Sequence, residues 1–406
     1  MKRIAILIAL LSLALLMFNC EDENNPSIWD KNDAGETTPV ISSVDPATQQ
    51  YGGVGTRKLV TITGSNFNSD KDQNFVYFGK ELGTIVEGSA TELKVAAPAN
   101  YADDLKLEVH SQGAYLPAIY GGADNPTEYS LIAAERRIAG YDAYNKPEGI
   151  CVDKENNLYV TSAKQVDKIA PDGTVTEGAY ELKAKFTGDI LVGPDEAFYY
   201  LWTKYIFKTD FQGNHLYKNA KFNINAMDFD ENLNMYIVGD EQIAHVNYTD
   251  LTITTLQEFE DISFKGCKVY NSDLYLVAQY TGSEEGKSTV PYLCKVGLNS
   301  DGTLAGDLQV IQDFTGSEYE SMKVTQLVIS ENGNIFIATD MSLLALEDGA
   351  LVPVYPEVLG EFAIYNVAWG TGEEIFVNTN NITDDAKISL MGIMLFEESA
   401  PYYGRN

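Results

Sequence analysis

Gly149-Ile150-Cys151-Val152-Asp153-Lys154-Glu155-Asn156-Asn157-Leu158-Tyr159-Val160 decides the fold, because the chain repeats it. A short apolar run, a polar turn rich in Asp and Asn, and a second apolar run read as two antiparallel strands. The pattern returns in Asp189-Ile190-Leu191-Val192 with Ala197-Phe198-Tyr199-Tyr200, and in Ala226-Met227-Asp228-Phe229 with Asn234-Met235-Tyr236-Ile237. It returns again in Gly266-Cys267-Lys268-Val269 with Asp273-Leu274-Tyr275-Leu276, and in Gln326-Leu327-Val328-Ile329 with Asn334-Ile335-Phe336-Ile337. Asn366-Val367-Ala368-Trp369 with Glu374-Ile375-Phe376-Val377 is the last copy. The marker aromatics at 159, 199, 236, 275, 336 and 376 lie 40, 37, 39, 61 and 40 residues apart, so one unit carries an insertion. A third strand follows each pair, as in Val166-Asp167-Lys168-Ile169 and Leu343-Leu344-Ala345-Leu346. Units of this length with three or four strands are propeller blades, and six of them fill residues 133–406. The sixth lacks a good outer strand, since only Ala400 to Asn406 remain after it, while residues 134–140 form a spare strand before the first. Pairing of the two would fasten the ring and remove an open edge.

The turn sequence and the "L-Y-V" strand resemble NHL-type repeats. Upstream, residues 39–132 carry short alternating strands with no helical run. Pro39-Val40-Ile41-Ser42-Ser43-Val44-Asp45-Pro46, Val60-Thr61-Ile62-Thr63-Gly64-Ser65-Asn66-Phe67, Val76-Tyr77-Phe78-Gly79 and Leu93-Lys94-Val95-Ala96-Ala97-Pro98 follow in that order. This series resembles immunoglobulin-like IPT/TIG domains, which implies a β-sandwich spacer or binding module without catalytic residues. The expected chain is all-β, a sandwich followed by a six-bladed propeller.

The first twenty residues are of another kind. Lys2 and Arg3 precede an apolar run from Ile4 to Phe18, which is the pattern of a secretory signal. It is shorter than the ~20 residues a membrane span needs and ends at Asn19-Cys20. It resembles a bacterial lipoprotein signal, which implies lipidation of Cys20. Glu21-Asp22-Glu23 and the polar tether to residue 38 resemble an export tag, which implies an outer-membrane protein facing the cell exterior. Three further cysteines, Cys151, Cys267 and Cys294, are an odd number for an exported chain and read as free buried thiols. The 28 basic and 59 acidic residues give a net charge of −31, which repels phosphate backbones and excludes nucleic acid as a partner.

Chemistry is sparsely signalled. Asp228-Phe229-Asp230-Glu231-Asn232-Leu233-Asn234 has alternating oxygen ligands but lacks the glycine and bidentate glutamate of a calcium loop, so it reads as an Asx turn. His110 reads as a structural strand residue. His215 is placed in a turn and His245 in a third strand, both away from the axis, and no nucleophile elbow is present. Neither cofactor nor metal is called for. The repeat register instead nominates one face of the ring. Loops entering first strands supply Tyr144, Asn145, Lys146, Asn225, Lys265, Lys323, Tyr365 and Asn366. Loops after second strands supply Trp202, Lys204, Asp240, Gln279, Tyr280, Asp340, Asn378 and Asn380, together with the extended loop 281–291. Trp202 and Tyr280 are expected to be exposed there, whereas Trp369 belongs to the core. Flat rings and amides suit sugars, and the architecture resembles surface lipoproteins that hold polysaccharide near outer-membrane transport proteins. Three readings stay open: glycan binder, surface hydrolase or lyase with an axial carboxylate or metal site, and protein-docking scaffold.

Overall fold

The computed structural model describes residues 35–138, 147–185, 189–283, 290–359, 362–381 and 389–405. The signal, Cys20 and most of the acidic tether lie outside the described residues, as do Tyr144, Asn145 and Lys146.

Residues 40–133 fold as a sandwich. Leu59–Ser65 pairs with Val40–Asp45 on one side and Glu92–Ala96 on the other. Glu81–Gly88 pairs with both Glu92–Ala96 and Asn74–Phe78, so one continuous sheet turns over to form the second layer. The alternation read from the sequence puts Val60, Ile62, Val76, Phe78, Leu93, Val95, Leu107 and Val109 in the core. Tyr129 closes one end with its hydroxyl donating to the Pro46 carbonyl at 3.1 Å.

Beyond it the described strands form five sheets, not the six separate blades expected. Four have four strands, and one has six. The physical reason lies in two long strands of that sheet. Met235–Val246 runs through the 240–242 hairpin of the third repeat, and Ile253–Tyr270 continues from that repeat's outer edge into the fourth repeat's inner strand. Single left-handed residues, Glu241 and Asp261, make these two reversals, so pairing is never interrupted. The inner strands still pack in a circle: Gly149–Val152, Ile190–Val192, Ile224–Phe229, the second half of Ile253–Tyr270, Val324–Ile329 and Phe362–Trp369, which returns to the first.

The ring is fastened as the spare strand suggests. Glu135–Ile138 pairs antiparallel with Ser389–Met394. Arg136 grips Glu374 with two bonds of 2.5 and 2.7 Å. The sandwich docks beside this seam. Val54 enters the core between the fifth and sixth repeats, Tyr51 lies edge-on to Phe396 at 4.9 Å, and Arg57 pairs with Glu347 and Glu397.

Polar side chains stitch three of the inner strands to their successors. Asp189 accepts from Met227 N at 3.4 Å, Asp228 from Val269 N at 2.7 Å, and Gln326 from Val367 N at 2.7 Å. Asn225 and Thr325 donate to the Phe264 and Ile364 carbonyls in the same direction. Buried polar groups of this kind are tolerated because each finds a partner.

Candidate functional site

Inner strands finish at one end of the ring and begin at the other, and the two ends differ. At the finishing end the marker turns are closed on themselves. Asp153 accepts from Glu155 N, Asn157 N, the Asn157 amide and the Tyr159 hydroxyl. Asp230 repeats the set with Asn232, Asn234 and Tyr236. These carboxylates are saturated, and the calcium-like run at 228–234 is an Asx turn. The chain end then crosses this mouth: Ser399 bridges to Ser330, Ala400 N donates to the Ile329 carbonyl, and the Tyr402 hydroxyl donates to the Val192 carbonyl at 3.2 Å.

Behind that tail lies a buried cluster around a cavity of about 60 Å³. The Lys268 ammonium sits 3.4 Å from Asp228 and 5.3 Å from the Tyr402 ring centroid. Gln326 donates to Asp189 across the axis at 3.0 Å. Burial pushes the Asp189 carboxyl up to about 6, against the pull of Lys268, and burial raises Asp228 as well. For Lys268 burial acts downward, but Asp228 and Asp189 outweigh it and the net direction is up. Axial carboxylates thus exist, yet each is engaged with a neighbouring strand.

The starting end carries the nominated residues. Asp240 accepts from Ser263 Oγ at 2.6 Å and the Asn223 amide at 2.7 Å, and Lys265 donates to Ser263 at 2.6 Å. Burial works against the Asp240 charge, but these donors hold its carboxyl below the usual range. Burial lowers Lys265, partly opposed by Asp240. Asp340 ties its own loop by accepting from Lys323 N at 2.8 Å, and Lys323, Lys204 and Tyr365 are each exposed at this end of the ring. Gln279 is half-buried and donates to the Met322 carbonyl.

Two nominations and one placement need correction. Tyr280 is half-buried rather than exposed: its ring lies over Gly282, where an added Cβ would come 2.3 Å from its hydroxyl. Asn378 is 2 % exposed, with its amide donating to the Pro147 carbonyl at 2.6 Å. His215 opens the strand His215–Asn219 instead of sitting in a turn, and its Nδ1 meets Thr209 Oγ1 at 3.1 Å. His245 does lie in a third strand, 6.2 Å from the Tyr236 ring. Trp369 packs edge-on to Phe336 in the core. Cys151, Cys267 and Cys294 are buried and free. The side chain of Asn380 and most of the 281–291 loop lie outside the described residues.

Trp202 is 41 % exposed and belongs to a larger feature that the repeat register alone did not disclose. Cross-strand pairing places Trp202 opposite Tyr205, Tyr200 opposite Phe207 and Phe207 opposite Tyr217. Side chains paired in this way share one side of the sheet, so five aromatics form a wall facing the first repeat. The stacked pairs are Trp202–Tyr205 at 6.1 Å, Tyr200–Phe207 at 5.2 Å and Phe207–Tyr217 at 5.4 Å. Tyr217 is 56 % exposed. A groove of about 430 Å³ lies between the first repeat's outer strand and the second repeat, lined by Lys164, Tyr180, Lys183, Asp210, Gln212 and His215. The signal for the wall was present in the alternation of Tyr200, Trp202, Tyr205, Phe207 and Tyr217, but only the hairpin register aligns them.

Residues 39–129 match the family model of the IPT/TIG domain, which covers the sandwich. Comparison with curated proteins finds no match. Among solved structures, a protein from Bacteroides thetaiotaomicron described as a candidate phosphatase is 11 % identical, with a TM-score of 0.50 over 88 % of this chain and 97 % of its own. An auxiliary nutrient binding protein from the same organism is 13 % identical, at 0.49 over 88 % and 98 %. A protein of unknown function, also from that organism, is 17 % identical, at 0.47 over 90 % and 99 %. Identities this low concern the fold alone.

Proposed function

We propose that this protein is a lipid-anchored surface protein of the outer membrane that binds polysaccharide or oligosaccharide for a glycan-uptake system. The observation that supports the reading is the exposed aromatic wall of the second repeat beside a groove of polar side chains. Sugar rings present flat apolar faces rimmed by hydroxyls. Aromatic faces such as Trp202 and Tyr217 stack on the former, and Lys, Asp and Gln side chains bond the latter. The Asn223–Asp240–Ser263–Lys265 chain of the next sheet offers further polar groups at the same end of the ring. Cys20 is the proposed lipid attachment, with Glu21-Asp22-Glu23 as the export tag, and outer-membrane transport proteins are the proposed partners.

Two measurements test this. Affinity electrophoresis through gels containing single polysaccharides should show retardation by at least one of them, and Trp202→Ala should reduce it about tenfold. That matches the ~1–2 kcal/mol expected of one stacked ring. Retention unchanged by Trp202→Ala and Tyr217→Ala together would remove the wall from the reading. Cys20→Ser should release the protein from membranes, and a variant that stays membrane-bound would overturn the anchor.

A further inference from the structure

The sandwich has two ends, and one of them meets the ring. At that near end Val54 enters the ring's core, Arg57 pairs with Glu347 and Glu397, and the Tyr101 hydroxyl donates to Glu135 at 3.3 Å. Tyr101 leads directly into Ala102–Ser111, a strand of 10 residues that carries the chain about 30 Å away from the ring. Ser111 pairs with Asn74, so Asn74–Phe78 begins at the far end. Glu81–Gly88 carries the same polarity across to Glu92–Ala96 and Leu59–Ser65, which places Ser65 and its partner Val40 at the far end too.

The chain enters the sandwich at this far end. Glu36 N donates to the Gly113 carbonyl at 2.8 Å, and Glu36 bridges to Ala114. The Tyr115 ring lies so close to Gly35 that an added Cβ there would come 2.8 Å from it. Gln112 N ties the same loop to the Gln73 carbonyl at 2.8 Å, next to the start of the strand that carries Phe75. Among the described residues, the sandwich leaves six large hydrophobic side chains exposed, and four of them lie at this end: Val40, Phe75, Tyr115 and Leu116, the last 65 % exposed. Single exposed apolar side chains are ordinary, but several at one tip mark a contact surface.

The chain that leads into the tip indicates what lies against it. Residues 21–34 separate Gly35 from Cys20, the proposed lipid attachment, and a connection of that length spans at most about 50 Å. The tip is where the anchored chain joins the fold, and the ring lies at the other end of the sandwich. We propose that Val40, Phe75, Tyr115 and Leu116 seat this tip in the headgroup layer of the bilayer, so that the sandwich stands on the membrane and holds the ring clear of it. Aliphatic and Phe side chains suit the acyl boundary, and Tyr suits the headgroup level. Glu36, Asp70 and Asp72 outnumber Lys71 around the tip, so apolar burial, not attraction to anionic lipid, supplies the contact. The proposal rests on the reading of Cys20 as the anchor and is independent of the sugar reading.

The test uses the full-length lipidated protein in phosphatidylcholine vesicles, with an environment-sensitive fluorophore on one introduced cysteine. Cys151, Cys267 and Cys294 are buried and Cys20 is blocked by its lipid, so Leu116→Cys takes the label alone. Lipids brominated along their acyl chains should quench that label at least about threefold more than one placed on the ring by Val310→Cys. Both positions are exposed, so neither replacement disturbs the core. A label at Val40→Cys should lose about half of its quenching or more when Leu116→Asp is added. Exchanging part of the phosphatidylcholine for phosphatidylglycerol should not deepen the label. A Cys20 shown by mass spectrometry to carry no lipid would overturn the anchor and this proposal together. A lipidated, vesicle-bound protein whose labels at 116 and 310 are quenched alike would overturn this proposal alone. A Val40 label indifferent to Leu116→Asp, or a label drawn deeper by phosphatidylglycerol, would overturn it as well.

Discussion

The two mouths of the ring are built from the same repeats and treated in opposite ways. Where inner strands finish, Asp153 and Asp230 spend every oxygen on their own turns, and Ser399 to Tyr402 cross the opening. Where inner strands begin, Trp202 and Tyr365 are each 41 % exposed, Lys204 and Lys323 reach solvent, and oxygens are left without partners. A turn needed for every blade cannot also vary to suit a ligand. The hairpins and connections at the opposite end, free of that shared pattern, can. The closed mouth is therefore the place to look for stability, and the open mouth for binding.

The comparison breaks most sharply at Lys268. Replacement by Met leaves Asp228 and Asp189 buried without their cation, and removing one partner of a buried pair typically costs about 3–5 kcal/mol. Urea unfolding should show a loss of that size, largely recovered when Asp228 is also made apolar. A loss under 1 kcal/mol would mean that the closed mouth is held by something other than its charges.

The next effect is a pH dependence. The Asp189 carboxyl is raised by burial to about 6 from an ordinary 3.8, so the folded state holds its proton more tightly than the unfolded chain. Its contribution to stability is greatest below about pH 4 and is lost as pH rises through 6. A shift of about two units corresponds to at most ~3 kcal/mol. Other carboxylates titrate in the same window, so the quantity to measure is the difference between wild type and Asp189→Asn. That difference should favour the wild type more at pH 4.5 than at pH 7.5. A difference independent of pH would place Asp189 in water rather than at a dry axis.

Tyr402 sets a smaller effect. Tyr402→Ala removes a hydroxyl bond to Val192 and the ring beside Lys268, and should cost about 2 kcal/mol. Loss of axial protection from hydrogen exchange, at Val192 and Val269 above all, would accompany it if the tail is a true cover.

The turns of the closed mouth were legible in the sequence, and the reason is periodicity; the tail that crosses them and the Lys268 cluster behind it were not. Asp-x-x-x-Asn-x-Tyr recurs at 153–159 and 230–236, and each residue bonds within its own turn, so local spacing contains the whole interaction. The spare strand at 135–138 was legible because a ring with a missing outer strand needs one. The count of separate sheets was not, since fusion of the third and fourth repeats depends on two tight reversals at Glu241 and Asp261 that carry no special residue. At the open mouth, spacing assigned residues to loops but not side chains to directions. Tyr280 folded onto Gly282 and Asn378 onto Pro147, because contacts with residues outside the repeat decided each. The aromatic wall required knowing which residue of one strand faces which of the next.

The smallest effect on stability should be the most informative about function. Trp202 stacks on Tyr205, lies 6.3 Å from the Phe207 ring and is 41 % exposed. Removing it forfeits one stacked contact at a surface where water replaces the ring, so Trp202→Ala should cost under ~1 kcal/mol in urea unfolding. Tyr217→Ala should behave alike, because its ring stacks on Phe207 at 5.4 Å and is more than half exposed. If the wall binds sugar, the pair should instead act strongly on retention in polysaccharide gels, each by about tenfold. A long glycan chain spanning both rings couples them, so the double variant should lose less than the product of the two single effects. Independent, multiplicative losses would point to two separate contacts. Equal losses of stability and binding would make these rings part of the ring's framework, and the open mouth would then differ from the closed one only in what covers it.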